Sequence, residues 1–337
     1  MTGYRGPAFT VVDTIDVHEL ERQGGFRPRQ RPLLVKGAVT RWPAWTSWSF
    51  THLAGLTRSD GSEVITQFQN GLVEQGTTRE PLRQSVPAYL RALETASARL
   101  HPDHRPEAGL CPDAAWQRLT PGQKFFLNWE YLRTFQANKP YLAQWDILRE
   151  FPRLKRDFAI RSLWKGLRWT WEYVFIGPAQ TVTGLHYDFP NNWFCQVRGV
   201  KEVVLFPPGN DAHLSKSRKY DWGATLSDVD IMRLHEQPLE SDRLLHAEGI
   251  YARVEAGDAL FIPKRTWHGV VALEPSISLA VFGLTIPEIV IGGGASETRS
   301  LLHKLGLYRN GNCTCHRTQA HEPQESRKGS PVEAFHE

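Results

Sequence analysis

From Trp169 to Leu284 the chain runs as a series of short apolar segments, WEYVFIG, TVTGLHYDF, NWFCQV, KEVVLFPP, IYARVEAGDALFIP, GVVAL and SISLAVFGL, broken by glycine and proline. No stretch with helical periodicity separates them. Parallel strands need long, usually helical crossovers, so this series argues against a doubly wound sheet and predicts an antiparallel sandwich or barrel. One interruption is long and polar, between Pro207 and Gly249, and is expected to be an insertion (209–248) joining two halves of the barrel. Insertions of that length often cover a site.

The preceding part of the chain mixes both periodicities. RPLLVKGAV (31–39) reads as a buried strand, and Ser49 is placed to cap a helix from Phe50 to Leu56. SVPAYLRALETASARL (85–100) has Ser85 as N-cap, Pro87 in the first turn and Tyr89, Leu90, Leu93 and Ala96 on one face, which predicts a helix. Residues 101–124 read as an irregular connection, and Tyr141 to Glu150 as a helix. After the strands, a short helix is expected from Ser296 to Leu305. The expected fold is mainly β with flanking helices. Residues 1–140 form α/β elements packed on a barrel of residues 141–290, followed by a C-terminal helix (291–309) and a disordered polar tail (310–337).

Composition narrows the functional classes. Forty basic against 36 acidic residues give a net charge of +4, which lacks the bias of a dedicated nucleic-acid binder. A local exception is the run Arg149, Arg153, Lys155, Arg156, Arg161, Lys165 and Arg168, interleaved with Phe151, Phe158 and Trp164. It reads as a solvated helical face, or as a patch for an anionic partner. Four cysteines, at 111, 195, 313 and 315, are too few for a disulfide framework and fit a reducing compartment. No apolar stretch has signal-peptide or membrane-span length, so the expected location is cytoplasmic, with no membrane partner. Twelve tryptophans suggest a deep core and aromatic walls around a pocket.

The chemistry-bearing residues begin with His186 and Asp188. As i and i+2 on a strand they project from one sheet face. Two histidines and one carboxylate on one side of an octahedron suit a non-haem iron that must keep open positions. The third ligand would then be His268, which opens the strand after GDALFIPKRTW, whereas His213, His235 and His246 fall in the polar insertion and His303 in the terminal helix. Alone, H-x-D is weak evidence and reads better as a structural His–Asp pair. Cys313, Cys315 and His316 have ligand chemistry but lack paired C-x-x-C spacing, and read as incidental.

GLHYDFPNNWFCQVRGVKEVVLFPP followed by AGDALFIPKRTWH resembles the JmjC, cupin-like Fe(II)- and 2-oxoglutarate-dependent hydroxylases. The likeness extends to the branch that includes the asparaginyl hydroxylase acting on hypoxia-inducible factor. The likeness spans roughly residues 30–285. It implies a double-stranded β-helix barrel, iron held by His186, Asp188 and His268, and 2-oxoglutarate and O2 as co-substrates. It places Lys201, thirteen residues past Asp188 (201 − 188 = 13), on the distal carboxylate of 2-oxoglutarate, with Thr183 and Tyr141 as hydroxyl donors and Asn192 near the iron. On spacing alone Lys201 is an exposed strand lysine and Asn192 a turn cap. Near Ala280 the chain departs from that branch, with a small apolar residue where a polar Asn is expected. The resemblance implies hydroxylation of an amino-acid side chain in a protein, peptide or small molecule, and pairing of two copies through the C-terminal helix. A base of transfer RNA and a non-catalytic binding module are the competing readings.

Overall fold

The computed structural model describes residues 6–26, 29–70, 72–73, 82–97, 113–125, 140–159, 169–219, 224–229, 242–288, 294–309 and 313. Eight strands form the barrel: β1 Trp169–Gly177, β2 Val182–Asp188, β3 Asn191–Arg198, β4 Lys201–Phe206, β5 Glu248–Val254, β6 Ala259–Ile262, β7 Trp267–Ala272 and β8 Ser276–Leu284. They fall into two antiparallel sheets, ordered β6-β3-β8-β1 and β5-β4-β7-β2. Successive strands alternate between the sheets, except that β4 and β5 pair with each other across the insertion. The first sheet extends past β6 through Leu33–Lys36 and Thr14–Asp16, and past β1 through Pro140–Trp145, Ile65–Asn70 and Leu82–Ser85.

The alternation of side chains explains why these segments are strands buried on both faces. In β8, Ile277, Leu279 and Val281 face outward with Trp193, Cys195 and Val197 of β3, while Ala280 and Phe282 face the interior. The outward set is covered by the N-terminal part of the chain, in one core with Trp48, Leu53, Leu90 and Leu93. Inside the barrel, Phe194, Leu260 and Ile262 of one sheet meet Val203, Leu205, Ile250 and Val254 of the other.

Several expected elements are found. The strand is Leu33–Lys36. The helix Phe50–Ala54 is capped by Ser49, whose hydroxyl accepts from the His52 N–H at 3.0 Å. The helix Val86–Ser97 is capped by the Ser85 hydroxyl, which accepts from the Ala88 N–H, and buries Val86, Tyr89, Leu90 and Leu93. The C-terminal helix is Gly294–Lys304, with Leu301, Leu305 and Leu307 exposed on and after it.

Other expectations change. Tyr141 does not begin a helix: Pro140–Trp145 is a strand pairing with β1 on one side and Ile65–Asn70 on the other, and only Ile147–Glu150 is helical, capped by Asp146. Helix-forming residues misled the reading, because pairing with β1 overrides the propensity of so short a segment. Within the connection 101–124, Asp113–Gln117 is a helix, and residues 101–112 lie outside the described residues. The insertion packs Leu214, Val229, Leu244 and Ala247 on the outer face of the β2–β7–β4–β5 sheet, and residues 220–223 and 230–241 lie outside the described residues. Of the tail, only Cys313 is described, and it is buried; Cys111, Cys315 and His316 are not described. Arg149, Arg153, Lys155 and Arg156 are exposed above buried Phe151, Leu154 and Phe158, as a solvated face requires, whereas Arg161, Trp164, Lys165 and Arg168 lie outside the described residues. No helix is long and apolar enough to cross a membrane among the described residues.

Candidate metal centre

His186 and Asp188 stand at the end of β2, and His268 on β7 is paired directly opposite His186. One ligand atom from each of the three lies within 4.8 Å of the other two. The His268 Nε2 stands 3.5 Å from an Asp188 carboxylate oxygen. Both imidazoles point their Nδ1 at a backbone carbonyl, His186 at Gly184 (2.8 Å) and His268 at Thr266 (2.9 Å). Those carbonyls can only accept, so Nδ1 carries the proton and the Nε2 lone pair is left to face the cluster. Burial pushes each imidazole down to about 4, and for His268 the neighbouring His186 adds to the effect. Both rings are therefore neutral at pH 7, the form that binds a cation. His213, His246 and His303 take no part in this cluster, and His235 lies outside the described residues.

Strict alternation along β2 would put Thr183 and His186, three residues apart, on opposite faces. The pairing with β7 slips between them: His268 opposes His186 and Val270 opposes Thr183, so two residues of β2, Gly184 and Leu185, face one of β7. This β-bulge restores Thr183 to the interior. The Thr183 hydroxyl hydrogen-bonds with Tyr141, and the Tyr141 hydroxyl lies 3.4 Å from the Lys201 amine. Burial raises the Tyr141 hydroxyl above its ordinary range, so it stays a neutral donor.

Lys201 is buried, 1% exposed, with its amine over the rings of Phe194 (5.3 Å) and Tyr141 (5.7 Å). No carboxylate pairs with it among the described residues, and burial pushes it down to about 7. A buried cation without an anion is costly. The donor set of one amine and two hydroxyls fits a carboxylate, and the two neutral imidazoles with Asp188 fit a divalent metal. Asn192, on β3, also lines the pocket, and its buried Oδ1 has no hydrogen-bond partner among the described residues, which leaves an amide oxygen for a ligand or water.

The pocket is walled by Phe175, Phe194, Ile262, Val270, Ala280 and Phe282. Its aromatic rings are phenylalanine and tyrosine. The tryptophans Trp42, Trp48, Trp193 and Trp267 instead fill the cores outside the barrel, and Trp171 stacks on Phe282 (6.2 Å, 22°). Phe194 was legible as the i+2 neighbour of Asn192. Gln144, which also lines the pocket, was not, because a bulge against β1 holds it there at φ 56°.

Comparison with known proteins agrees with this architecture. The profile of the cupin-like domain family matches residues 20–282. The chain is 31% identical over 262 residues to tRNA wybutosine-synthesizing protein 5 of Gallus gallus, an alignment covering 77% of this chain and 72% of the relative. It is 25% identical over 266 residues to the lysine-specific demethylase JMJ30 of Arabidopsis thaliana, covering 74% of this chain and 49% of the relative. For the lysine-specific demethylase 8 of Xenopus tropicalis the figures are 24% over 260 residues, 74% and 47%. The chain thus spans about half the length of the two demethylases. The resemblance read from the sequence holds at the level of the family, while its finer likeness to an asparaginyl hydroxylase is not what these names report. With a matching profile over most of its length and an eight-stranded barrel of alternating sheets, the chain belongs to the cupin-like domain family.

Proposed function

We propose that this chain is an Fe(II)- and 2-oxoglutarate-dependent oxygenase that hydroxylates an aliphatic C–H bond of an amino-acid side chain, in a protein, peptide or amino-acid-derived metabolite, releasing succinate and CO2. The observation that carries the reading is a two-His, one-Asp cluster with ligand atoms within 4.8 Å, sharing a pocket with a buried lysine that has no carboxylate partner among the described residues. A sugar-binding or purely structural cupin-like module has no use for that lysine.

His186, Asp188 and His268 would hold the iron from one side, leaving the other open. When bound, iron with 2-oxoglutarate and O2 supplies an oxidant through oxidative decarboxylation of the keto acid. The chain's own contribution is positioning. The Lys201 amine and the Tyr141 and Thr183 hydroxyls, gathered in one hydrogen-bonded group, would hold the distal carboxylate of the keto acid through charge-assisted bonds and so orient it. Phe175, Phe194, Ile262 and Phe282 keep water from that space. The Asn192 amide is placed to order a ligand beside the cluster.

A second reading, hydroxylation of a transfer-RNA base by the same chemistry, draws on two observations. A relative named for wybutosine synthesis is covered over 72% of its length, and Arg149, Arg153, Lys155 and Arg156 are exposed together. Succinate formation by the anaerobically purified chain, supplied with Fe(II), 2-oxoglutarate and O2, tests the common chemistry. His186→Ala is expected to abolish it, and an unchanged rate in that variant would end the proposal. Turnover on RNA that falls steeply with salt, with none on peptides, would move the substrate to the second reading.

A further inference from the structure

The strands that carry the cluster are held from outside the barrel. The residue before His268 is Trp267, fully buried on the outer face, and the residue between His186 and Asp188 is Tyr187. Their rings meet edge to face, with centroids 4.7 Å apart at 85°. Both are gripped by the start of the insertion. The Trp267 indole N–H donates to Asp211 Oδ1 at 2.6 Å, and the Lys216 amine reaches the Tyr187 hydroxyl at 3.2 Å. The other Asp211 oxygen lies 3.4 Å from the Arg265 guanidinium, and the Arg265 backbone N–H donates to the Asp188 carbonyl at 3.0 Å. Arg265 sits at φ 60°, a left-handed conformation that a non-glycine residue adopts only when its surroundings impose it. One carboxylate thus touches the neighbour of His268 and the residue bonded to the backbone of Asp188.

We propose that Asp211, outside the pocket and touching no ligand, is a positioning residue for the metal centre, setting the separation of His268 from His186 and Asp188 through the Trp267 indole and the Arg265 turn. This rests on the metal-binding reading above. The indole bond carries most of the effect, because Trp267 is fully buried whereas the Arg265 pair is half exposed and screened by water. Loss of the bond lets β7 shift by tenths of an ångström, which three convergent ligands register as lost affinity.

The test is anaerobic titration of the chelator-treated full-length chain with Co(II), followed by calorimetry and by the visible absorption of the bound ion. Asp211→Ala is expected to weaken Co(II) binding about tenfold and to alter the absorption band, with the circular dichroism unchanged. Asp211→Asn keeps an acceptor for the indole N–H and should recover most of the affinity. Trp267→Phe keeps a ring and loses the donor, so it should match Asp211→Ala, and the double variant should be no weaker than either single one. Should Asp211→Ala fail to fold, the Asn and Phe variants decide by the same criteria. Co(II) binding by folded Asp211→Ala within twofold of the parent overturns the inference, as does an Asn variant as weak as the Ala variant. A parent chain that binds no Co(II) overturns the metal reading itself, and the inference with it.

Discussion

Replacing Lys201 with methionine should make the ligand-free protein more stable while abolishing the 2-oxoglutarate binding proposed for it. The ammonium is buried without a carboxylate among the described residues, and burial takes it from 10.5 to about 7. Its protonation is therefore disfavoured in the folded state relative to the unfolded one. Because the folded value is the lower, the unfolded chain binds the extra proton, and stability rises with pH between about 7 and 10.5. At 1.36 kcal/mol per pH unit, the penalty is ~4 kcal/mol near pH 7, shrinks to ~1 kcal/mol near pH 9.5 and vanishes above 10.5. Methionine fills similar space with no charge and lies comfortably against Phe194 and Tyr141. Urea denaturation of the metal-free protein at pH 7 and pH 9.5 should show Lys201→Met more stable by several kcal/mol at the lower pH, with the gap closing by ~3 kcal/mol at the higher. Addition of 2-oxoglutarate to the Mn(II)-loaded proteins should stabilise the parent further and leave the Mn(II)-loaded variant unmoved. Equal stability at pH 7, or a gap that does not close as pH rises, would refute the account of Lys201 as an anion-seeking buried cation.

Tyr141→Phe removes one of the two hydroxyls beside Lys201 and is expected to raise KM for 2-oxoglutarate by roughly tenfold, with a smaller effect on kcat, measured by succinate release. Gly177→Ala places a methyl 2.6 Å from the Tyr141 ring, so the same rise in KM should follow without loss of any polar group; an unchanged KM would show the ring free to move. Leu279→Ala, on the outward face of β8, should cost about 2–5 kcal/mol in denaturant unfolding, since the site is shared by the barrel and the covering helices.

The barrel and the triad were legible because their signals are local. Short apolar runs broken by glycine and proline give β1 to β8, and His186 and Asp188 as i and i+2 need only a strand to share a face. The position of Thr183 was reachable only through the resemblance, because alternation puts it on the wrong side and the bulge that corrects it is set by the pairing of β2 with β7. The misreading of Tyr141 has the same origin: YLAQW is helix-compatible in isolation, and its role as a strand appears only once β1 and Ile65–Asn70 stand on either side of it. Likewise nothing in PGNDAH announces that Asp211 reaches Trp267, a contact made across 56 residues of chain.

The wall made by Ile277, Leu279 and Val281 with Trp193 and Cys195 belongs as much to the N-terminal part of the chain as to the barrel. The barrel is consequently not an excisable cassette. A truncated chain starting at Trp169 would retain all three proposed ligands and still present that greasy outer sheet to solvent, with Tyr141 cut away, so it should self-associate before it could fold. Any fusion or domain exchange that aims to carry the pocket elsewhere must carry its apolar overcoat as well.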